Sequence, residues 1–319
     1  MPTSSTRSPD TLDGIHSGFL TPEAQAFYAE QGYLIVENAV SPEQLAAIND
    51  ETLRMCRGEL GRFDGWTGPH DGQSDLDVLR QYLCIHFPHK LSPLMHEQLA
   101  HPAIVETLTG VIGPDVKCMQ SMLFIKAAGK PGQAWHQDED YIPTRDRSLT
   151  GAWIALDDAT VDNGCLWVIP GSHKPGVLWP QKFQKSQDFD CTHESYGYPY
   201  TDEDAVPVEV KAGSIVFFNG YLLHRSLPNR APEGTFRRVL VNHYMSASSL
   251  LPWINGSIEE HDTFLDDDRS IAKTDVRDIV MIAGNDPYAW MGIKERNEPH
   301  VRPTGEGGCS RGETKSEIE

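Results

Sequence analysis

VKCMQSMLFIK, residues 116–126, opens a series of short β-rich runs divided by turn residues. The runs that follow are TGAWIALDD (150–158), GCLWVIPG (164–171), SIVFFNG (214–220) and FRRVLVNHYM (236–245). Strands of this length at this density predict a two-sheet antiparallel barrel or jelly roll. The polar stretch 179–205 falls between two of the strands and is expected to form a loop over one mouth of the barrel.

Upstream of residue 116 the sequence reads as helical. Thr21-Pro22-Glu23 supplies an N-cap and a proline at the first helical position, starting a helix to about Gln31. Ser41-Pro42-Glu43-Gln44 adds the glutamine of a capping box and starts a second helix to about Arg57. Between them Gly32-Tyr33-Leu34-Ile35-Val36 reads as a short strand. Ile104, Val105, Leu108, Val111 and Ile112 recur at helical spacing and predict a helix from Pro102 to Gly113. The expected fold is therefore α+β: a jelly-roll (double-stranded β-helix) core with flanking N-terminal helices. One domain is expected over 21–301. Residues 1–20 read as a loose arm, and the Gly- and charge-rich 302–319 as a disordered tail.

The 319 residues are 39% hydrophobic and 23% charged, as in ordinary globular proteins. No run approaches the roughly 20 apolar residues of a membrane span. The net charge of −19 disfavours contact with nucleic-acid phosphates and anionic lipid surfaces. The six cysteines are scattered without a CxxC pair, and no signal peptide or peroxisomal tripeptide is present. Reduced thiols in a cytoplasmic protein are expected.

The chemistry sits in His136-Gln137-Asp138, which follows the Gly129–Gly132 loop and is expected to precede a strand. In extended chain, residues i and i+2 share a face, so both side chains can project into the barrel. His224 is the third candidate. Two imidazoles and a carboxylate leave three coordination positions open, the facial arrangement suited to Fe(II) with a chelating cosubstrate and O2. Zinc is the rival metal, but structural zinc sites want four closed ligands, often thiolates. With 13 histidines in the chain, an HxD alone is weak evidence; its setting carries the argument.

That setting is His136-Gln137-Asp138, then NGCLWVIPGSH (163–173), then GSIVFF (213–218), then His224 onward to Tyr244. In this order, over about Gly32 to Met245, the chain resembles the phytanoyl-CoA dioxygenase family. These are Fe(II)/2-oxoglutarate oxygenases that include ectoine hydroxylases and natural-product tailoring enzymes. The resemblance implies His136, Asp138 and His224 as iron ligands. It implies Arg237, in Phe236-Arg237-Arg238, as the arginine for the 5-carboxylate of 2-oxoglutarate, two residues farther from the distal histidine than is usual. Arg237 is preferred over Arg238 because the family strand begins aromatic-Arg-basic with the first basic residue pointing inward. Arg suits the task, since its rigid, permanently charged fork binds a carboxylate bidentately. Ser226 matches the serine on the same carboxylate, Trp153 a tryptophan lining the cosubstrate pocket, and Gln120 a glutamine of the ectoine-hydroxylase branch.

Each of these residues also has a structural reading. Trp153 and Trp167 can be core aromatics. Gln137 is expected to face away from the metal and serve a structural hydrogen bond. His173, in its Gly-Ser-His turn, reads as structural, and His243 as a buried, satisfied histidine. His86 and His89 imitate a metal pair, but Pro88 opposes the helical geometry such a pair wants. Asp266 to Asp268 reads as a solvated loop.

The resulting expectation is a hydroxylase that oxidises a C–H bond of a small metabolite or natural-product intermediate. Its cofactor set is Fe(II), 2-oxoglutarate and O2, with ascorbate as reductant in vitro. Desaturation or ring rearrangement is open to the same chemistry. Halogenating relatives carry a small residue in place of the ligand carboxylate, and this chain keeps Asp138. The charge balance favours a neutral or cationic substrate over a coenzyme A ester, with Tyr141 and the 179–205 stretch facing it. The partner is a small molecule, not nucleic acid or membrane, and oligomeric state is left open. From other classes, a non-catalytic jelly-roll module would lack a triad member or the arginine. A cupin-type metal enzyme would use three or four histidines and no 2-oxoglutarate.

Overall fold

The computed structural model describes residues 15–17, 20–190, 193–250, 277–295 and 297–302. Asp266–Asp268 and the tail beyond Arg302 lie outside them. The N-terminal half contains β1 (Ile15–Ser17), α1 (Pro22–Gln31), β2 (Tyr33–Glu37), α2 (Pro42–Cys56), α3 (Asp75–Arg80), β3 (Cys84–His86), α4 (Pro93–Leu99) and α5 (Pro102–Val111). Then come β4 (Val116–Ala127), β5 (Gln133–His136), the helical turn α6 (Asp138–Tyr141), β6 (Thr150–Ala155) and β7 (Leu166–Val168). The chain continues through β8 (Gln181–Phe183), β9 (His193–Ser195), β10 (Val206–Val208), β11 (Ile215–Asn219), β12 (His224–Ser226), β13 (Phe236–Ser246), β14 (Val280–Ala283) and β15 (His300–Val301).

The helix starts follow the local chemistry. Thr21 accepts a hydrogen bond from the Ala24 amide at 3.2 Å, and Pro22 occupies the first turn of α1. The helix ends at Gly32 with φ of 82°, where a Cβ would press on the His173 ring at 2.4 Å. Ser41 and Gln44 make both bonds of the capping box that starts α2.

The larger sheet has the order β1-β2-β11-β6-β13-β4-β3-β15, with β14 also paired to β4. Facing it is a smaller sheet, β10-β7-β12-β5, and β8 and β9 pair separately. Apart from the parallel β1–β2 pair, all the strand pairings are antiparallel. Alternate residues of the large sheet feed two different cores. Leu34, Ile154, Phe217 and Leu240 pack with Ile48, Met55 and Leu108 of the helices. Ile35, Trp153, Phe218 and Val241 pack with Leu166, Val168 and Val208 of the small sheet. The molecule is thus layered helices, large sheet, small sheet, and β4 is buried along its whole length. A bulge between Cys118 and Gln120, opposite His243 and Tyr244, shifts the alternation of β4. Beyond the bulge Met122 and Phe124 join the inter-sheet core, whereas Cys118, Leu123 and Ile125 face the helices.

Several expectations need correction. No strand follows the His136-Gln137-Asp138 motif directly: His136 ends β5, and Asp138 opens a helical turn. The expected loose arm contributes β1 to the edge of the large sheet. Arg302, expected to begin the tail, is 3% exposed and donates its amide to Cys84 O. The 179–205 stretch covers the outer face of the small sheet, where Trp179, Tyr198 and Tyr200 pack against Trp135 and Leu223. Cys56, Cys84, Cys118 and Cys165 are free thiols, all buried. Among the described residues no helix is long and apolar enough to cross a membrane.

Candidate active site

His136 and His224 are direct register partners across the β5–β12 pair, which brings their ring centroids to 4.1 Å. Asp138 returns to the same face through α6, a turn pinned where the Glu139 amide donates to Gly220 O at 3.0 Å. Asp138 Oδ1 then lies 3.6 Å from His136 Nε2 and 3.5 Å from His224 Nε2. The three ligand atoms fall within 4.8 Å of one another, in a buried setting.

The imidazole tautomers follow from the backbone. His136 Nδ1 contacts Ala134 O at 2.8 Å, and His224 Nδ1 contacts Leu222 O at 2.9 Å. A carbonyl only accepts, so each Nδ1 carries a proton, and in its neutral form each ring turns the lone pair of Nε2 toward Asp138. Two nitrogen lone pairs and a carboxylate oxygen converging in a buried setting repel one another unless a proton or cation lies between them. The donor set therefore fits a divalent metal, and its open positions fit a facial triad.

The three groups are electrostatically coupled. Burial, with His224 alongside, lowers the His136 pKa to about 3. Burial alone would raise the Asp138 pKa, but the charge and hydrogen bonds of His224 and His243 hold it well below the usual carboxylate range. Burial likewise works against a charged His224, but Asp138 outweighs it and raises that pKa. The second carboxylate oxygen, Oδ2, accepts from His243 Nε2 at 3.0 Å. His243 is thus the partner of the candidate metal carboxylate, and its Nδ1 has no hydrogen-bond partner among the described residues.

A narrow cleft beside the triad is lined by Leu83, Phe124, Lys126, Gln133, Asp190 and Arg237, with Ser226 at its wall. Arg237 follows the inward phase of β13 and is 3% exposed, with its guanidinium 5.5 Å from the Trp153 ring centroid. Arg238 points the other way, its fork on Asp157 at 2.8 and 2.6 Å. Burial pulls the Arg237 pKa down to about 10, and Nε has no hydrogen-bond partner among the described residues. A buried guanidinium with an unmatched N–H in a cleft fits an incoming carboxylate. Lys126 shares the cleft, and burial together with Arg237 draws its pKa well below the ordinary lysine value.

The remaining candidates fall in different places. Gln120 is the register partner of His243, at the metal end of β4, and its amide nitrogen lies 3.3 Å from His86 Nδ1. Gln137 faces away from the triad: its amide donates to Val177 O and Tyr221 O, and its oxygen accepts from the Trp179 amide at 2.8 Å. It fastens the start of the 179–205 stretch to the turn that carries Asp138. Gln181 of that stretch donates to the Tyr141 hydroxyl at 3.1 Å, and the Tyr141 ring meets His136 at 6.2 Å. His173 contacts Ala29 O at 3.1 Å, and His89 contacts Ser121 Oγ at 2.6 Å. Trp167 packs on the small sheet, with Arg225 near its ring.

Sequence reasoning passed over Lys126, Asp190 and Arg302 and gave His243 no task. Asp190 and Arg302 are 4% and 3% exposed and pair at 3.5 Å beside the cleft. A lysine inside an apolar strand was the available signal for Lys126; the other three are brought in by long-range pairing.

Comparison with known proteins accords with this geometry. Residues 28–239 match the family model for phytanoyl-CoA dioxygenase (PhyH). A phytanoyl-CoA dioxygenase of Arabidopsis thaliana is 32% identical over 246 residues, covering 67% of this chain and 85% of the relative. The peroxisomal phytanoyl-CoA dioxygenase of Rattus norvegicus is 29% identical over 261 residues, covering 79% and 75%. Among solved structures, the non-heme monooxygenase ThoJ has a TM-score of 0.60 at 20% identity, covering 82% of this chain and 84% of its own. EctD from S. alaskensis, with 2-oxoglutarate and 5-hydroxyectoine, has a TM-score of 0.55 at 22% identity, covering 72% and 78%. The structural likenesses speak for the fold; with the sequence match over most of the layered core, they make this chain a member of the phytanoyl-CoA dioxygenase family.

Proposed function

We propose that this protein is a non-haem Fe(II)/2-oxoglutarate-dependent dioxygenase built on a jelly-roll core, with residues 21–301 as its single catalytic domain. His136, Asp138 and His224 are the iron ligands in this reading, and their convergence on one buried point is the observation that carries it. Arg237 and Ser226 take the 5-carboxylate of 2-oxoglutarate. Trp153 braces the Arg237 guanidinium, and Gln120 lines the metal end of the pocket. Bound iron, 2-oxoglutarate and O2 would supply the oxidising power, with succinate and CO2 as the products of 2-oxoglutarate, and ascorbate would serve as reductant in vitro.

The chain's own residues set the geometry. The two backbone carbonyls aim the imidazoles, and His243 fixes the carboxylate. Asp138 fills the coordination position a halide needs, which favours hydroxylation of a C–H bond over halogenation. The acidic balance favours a neutral or cationic small metabolite as substrate, approached past Tyr141 and the 179–205 stretch. The buried free thiols accord with a cytoplasmic protein.

Anaerobic Fe(II) titration tests the ligand set. His136→Ala and Asp138→Ala each lose iron binding, with the fold intact by circular dichroism; stoichiometric retention in both removes the assignment. Succinate release that depends on added 2-oxoglutarate separates this reading from a cupin-type enzyme, which needs none.

A further inference from the structure

Asp190 and Arg302 link the β3–β15 end of the large sheet to β5, the last strand of the small one. Arg302 follows β15, and its amide donates to Cys84 O at 2.9 Å. The Asp190 amide donates to Gly132 O at 2.9 Å, and the Gly132 amide donates to Asp188 O at 2.8 Å. The backbones on both sides are thus fixed, while the side chains meet loosely. Arg302 Nη2 stands 3.5 Å from Asp190 Oδ2, beyond the roughly 2.7–2.9 Å of a charge-assisted hydrogen bond. Both Asp190 oxygens are buried, and neither accepts a hydrogen bond from the described residues. A buried carboxylate in that condition retains a strong pull on any nearby cation. Two such cations, Arg237 and Lys126, line the cleft together with Asp190. Burial lowers the pKa of both, with Arg237 adding to the fall at Lys126, and the Asp190 charge works against that fall in each.

We propose that Asp190 competes with the distal carboxylate of 2-oxoglutarate for the cleft cations, and that Arg302 is a positioning residue that holds this competitor off. The inference rests on the 2-oxoglutarate reading above. Two carboxylates sharing one buried cleft repel each other, and Arg302 offsets the charge of the resident one. Cosubstrate affinity is then set in part by the stretch that follows β15. The plain alternative is a structural ion pair. Breaking such a pair at either end leaves a lone buried charge and weakens the fold and every ligand alike.

The test measures dissociation constants on Fe(II)-loaded protein under anaerobic conditions. The ligands are 2-oxoglutarate and 2-oxopentanoate, which has no distal carboxylate. The two ends of the pair predict opposite signs. Arg302→Met strips Asp190 of its partner and weakens 2-oxoglutarate binding roughly fivefold to fiftyfold. Asp190→Asn removes the competitor and tightens binding by roughly threefold or more. The two substitutions combined return affinity to within about threefold of the unmutated protein. Arg302→Lys, which keeps the charge, retains most of the native affinity. Binding of 2-oxopentanoate changes less than about twofold throughout. Weakening by both single variants, or equal effects on the two ligands, overturns the proposal. Where Arg302→Met does not fold by circular dichroism, Arg302→Gln enters the same comparison under the same criteria. Unchanged 2-oxoglutarate affinity in both single variants, with binding lost in Arg237→Ala, removes the competition and spares the function. Unchanged affinity in Arg237→Ala as well removes both.

Discussion

His243 donates to Asp138 Oδ2 at 3.0 Å, which leaves Oδ1 facing both His136 and His224. The carboxylate is therefore divided, with one oxygen fixed by His243 and one facing the candidate metal position. His243→Phe removes the donor and should lower metal affinity about 10- to 100-fold, the usual cost of losing such a partner. His243→Gln, which can donate, should recover much of that loss. Titration with Co(II) or Fe(II) reads both, and affinity unchanged in His243→Phe would show that the bond does not hold the carboxylate.

Arg237 and Arg238 are neighbours with opposite duties. Arg237→Ala should raise the dissociation constant for 2-oxoglutarate by roughly 30-fold to several thousand-fold, the cost of removing one partner of a desolvated charge pair. Arg238→Ala should leave cosubstrate binding alone and cost roughly 1 kcal/mol of stability, because its partly exposed fork holds Asp157. A cosubstrate defect in Arg238→Ala with none in Arg237→Ala would reverse the assignment.

Gly132 lies against the Ser226 backbone: an added Cβ would sit 1.9 Å from Ser226 O. Backbone cannot swing aside as a side-chain end can, so Gly132→Ala must push β5 and β12 apart. We expect a loss of about 1–3 kcal/mol by thermal or urea denaturation, the usual cost of overpacking, and weaker 2-oxoglutarate binding because Ser226 moves. Native affinity with native stability would show that the strands absorb the methyl group freely.

His89 supplies a separate pH signature. Burial, with Lys90 and His96 nearby, depresses its pKa from 6.5 to about 4. Its folded form resists protonation, whereas its unfolded form takes a proton near pH 6.5. The stability it contributes is fully present above pH 6.5, declines as pH falls, and is gone below about 4. The shift corresponds to about 3 kcal/mol. In urea denaturation series between pH 7 and 4, His89→Asn should flatten the slope relative to the unmutated protein. Parallel curves would exclude His89 as the source.

The helix caps were legible because capping is local: Thr21, Ser41 and Gln44 act within three residues of themselves. The long strands β4, β11 and β13 were legible from their runs of apolar residues. The three-residue β3 carries no periodicity of its own, and β14 and β15 are defined by partners far away in sequence, so none was foreseen. Within the motif, the identities of His136 and Asp138 could be read, but the break from strand to helical turn between them could not. His243 reaches Asp138 only through the pairing of β13 with its neighbours, a relationship that local spacing does not encode. For residues 179–205 a loop over one mouth of the barrel was expected; the packing of Trp179, Tyr198 and Tyr200 on Trp135 and Leu223 depends on long-range contacts that local spacing does not encode.

Ala134 O and Leu222 O orient the two imidazoles from positions two residues back along the chain. Main-chain atoms are common to every sequence that keeps these strands, so point mutation has no direct handle on the aim of either nitrogen ligand. The carboxylate is different, because its orientation passes through one exchangeable side chain. Divergence or laboratory redesign that retunes the proposed metal site without dismantling the sheets therefore has its most accessible route at position 243, which stands outside the candidate ligand set and acts on it through Asp138.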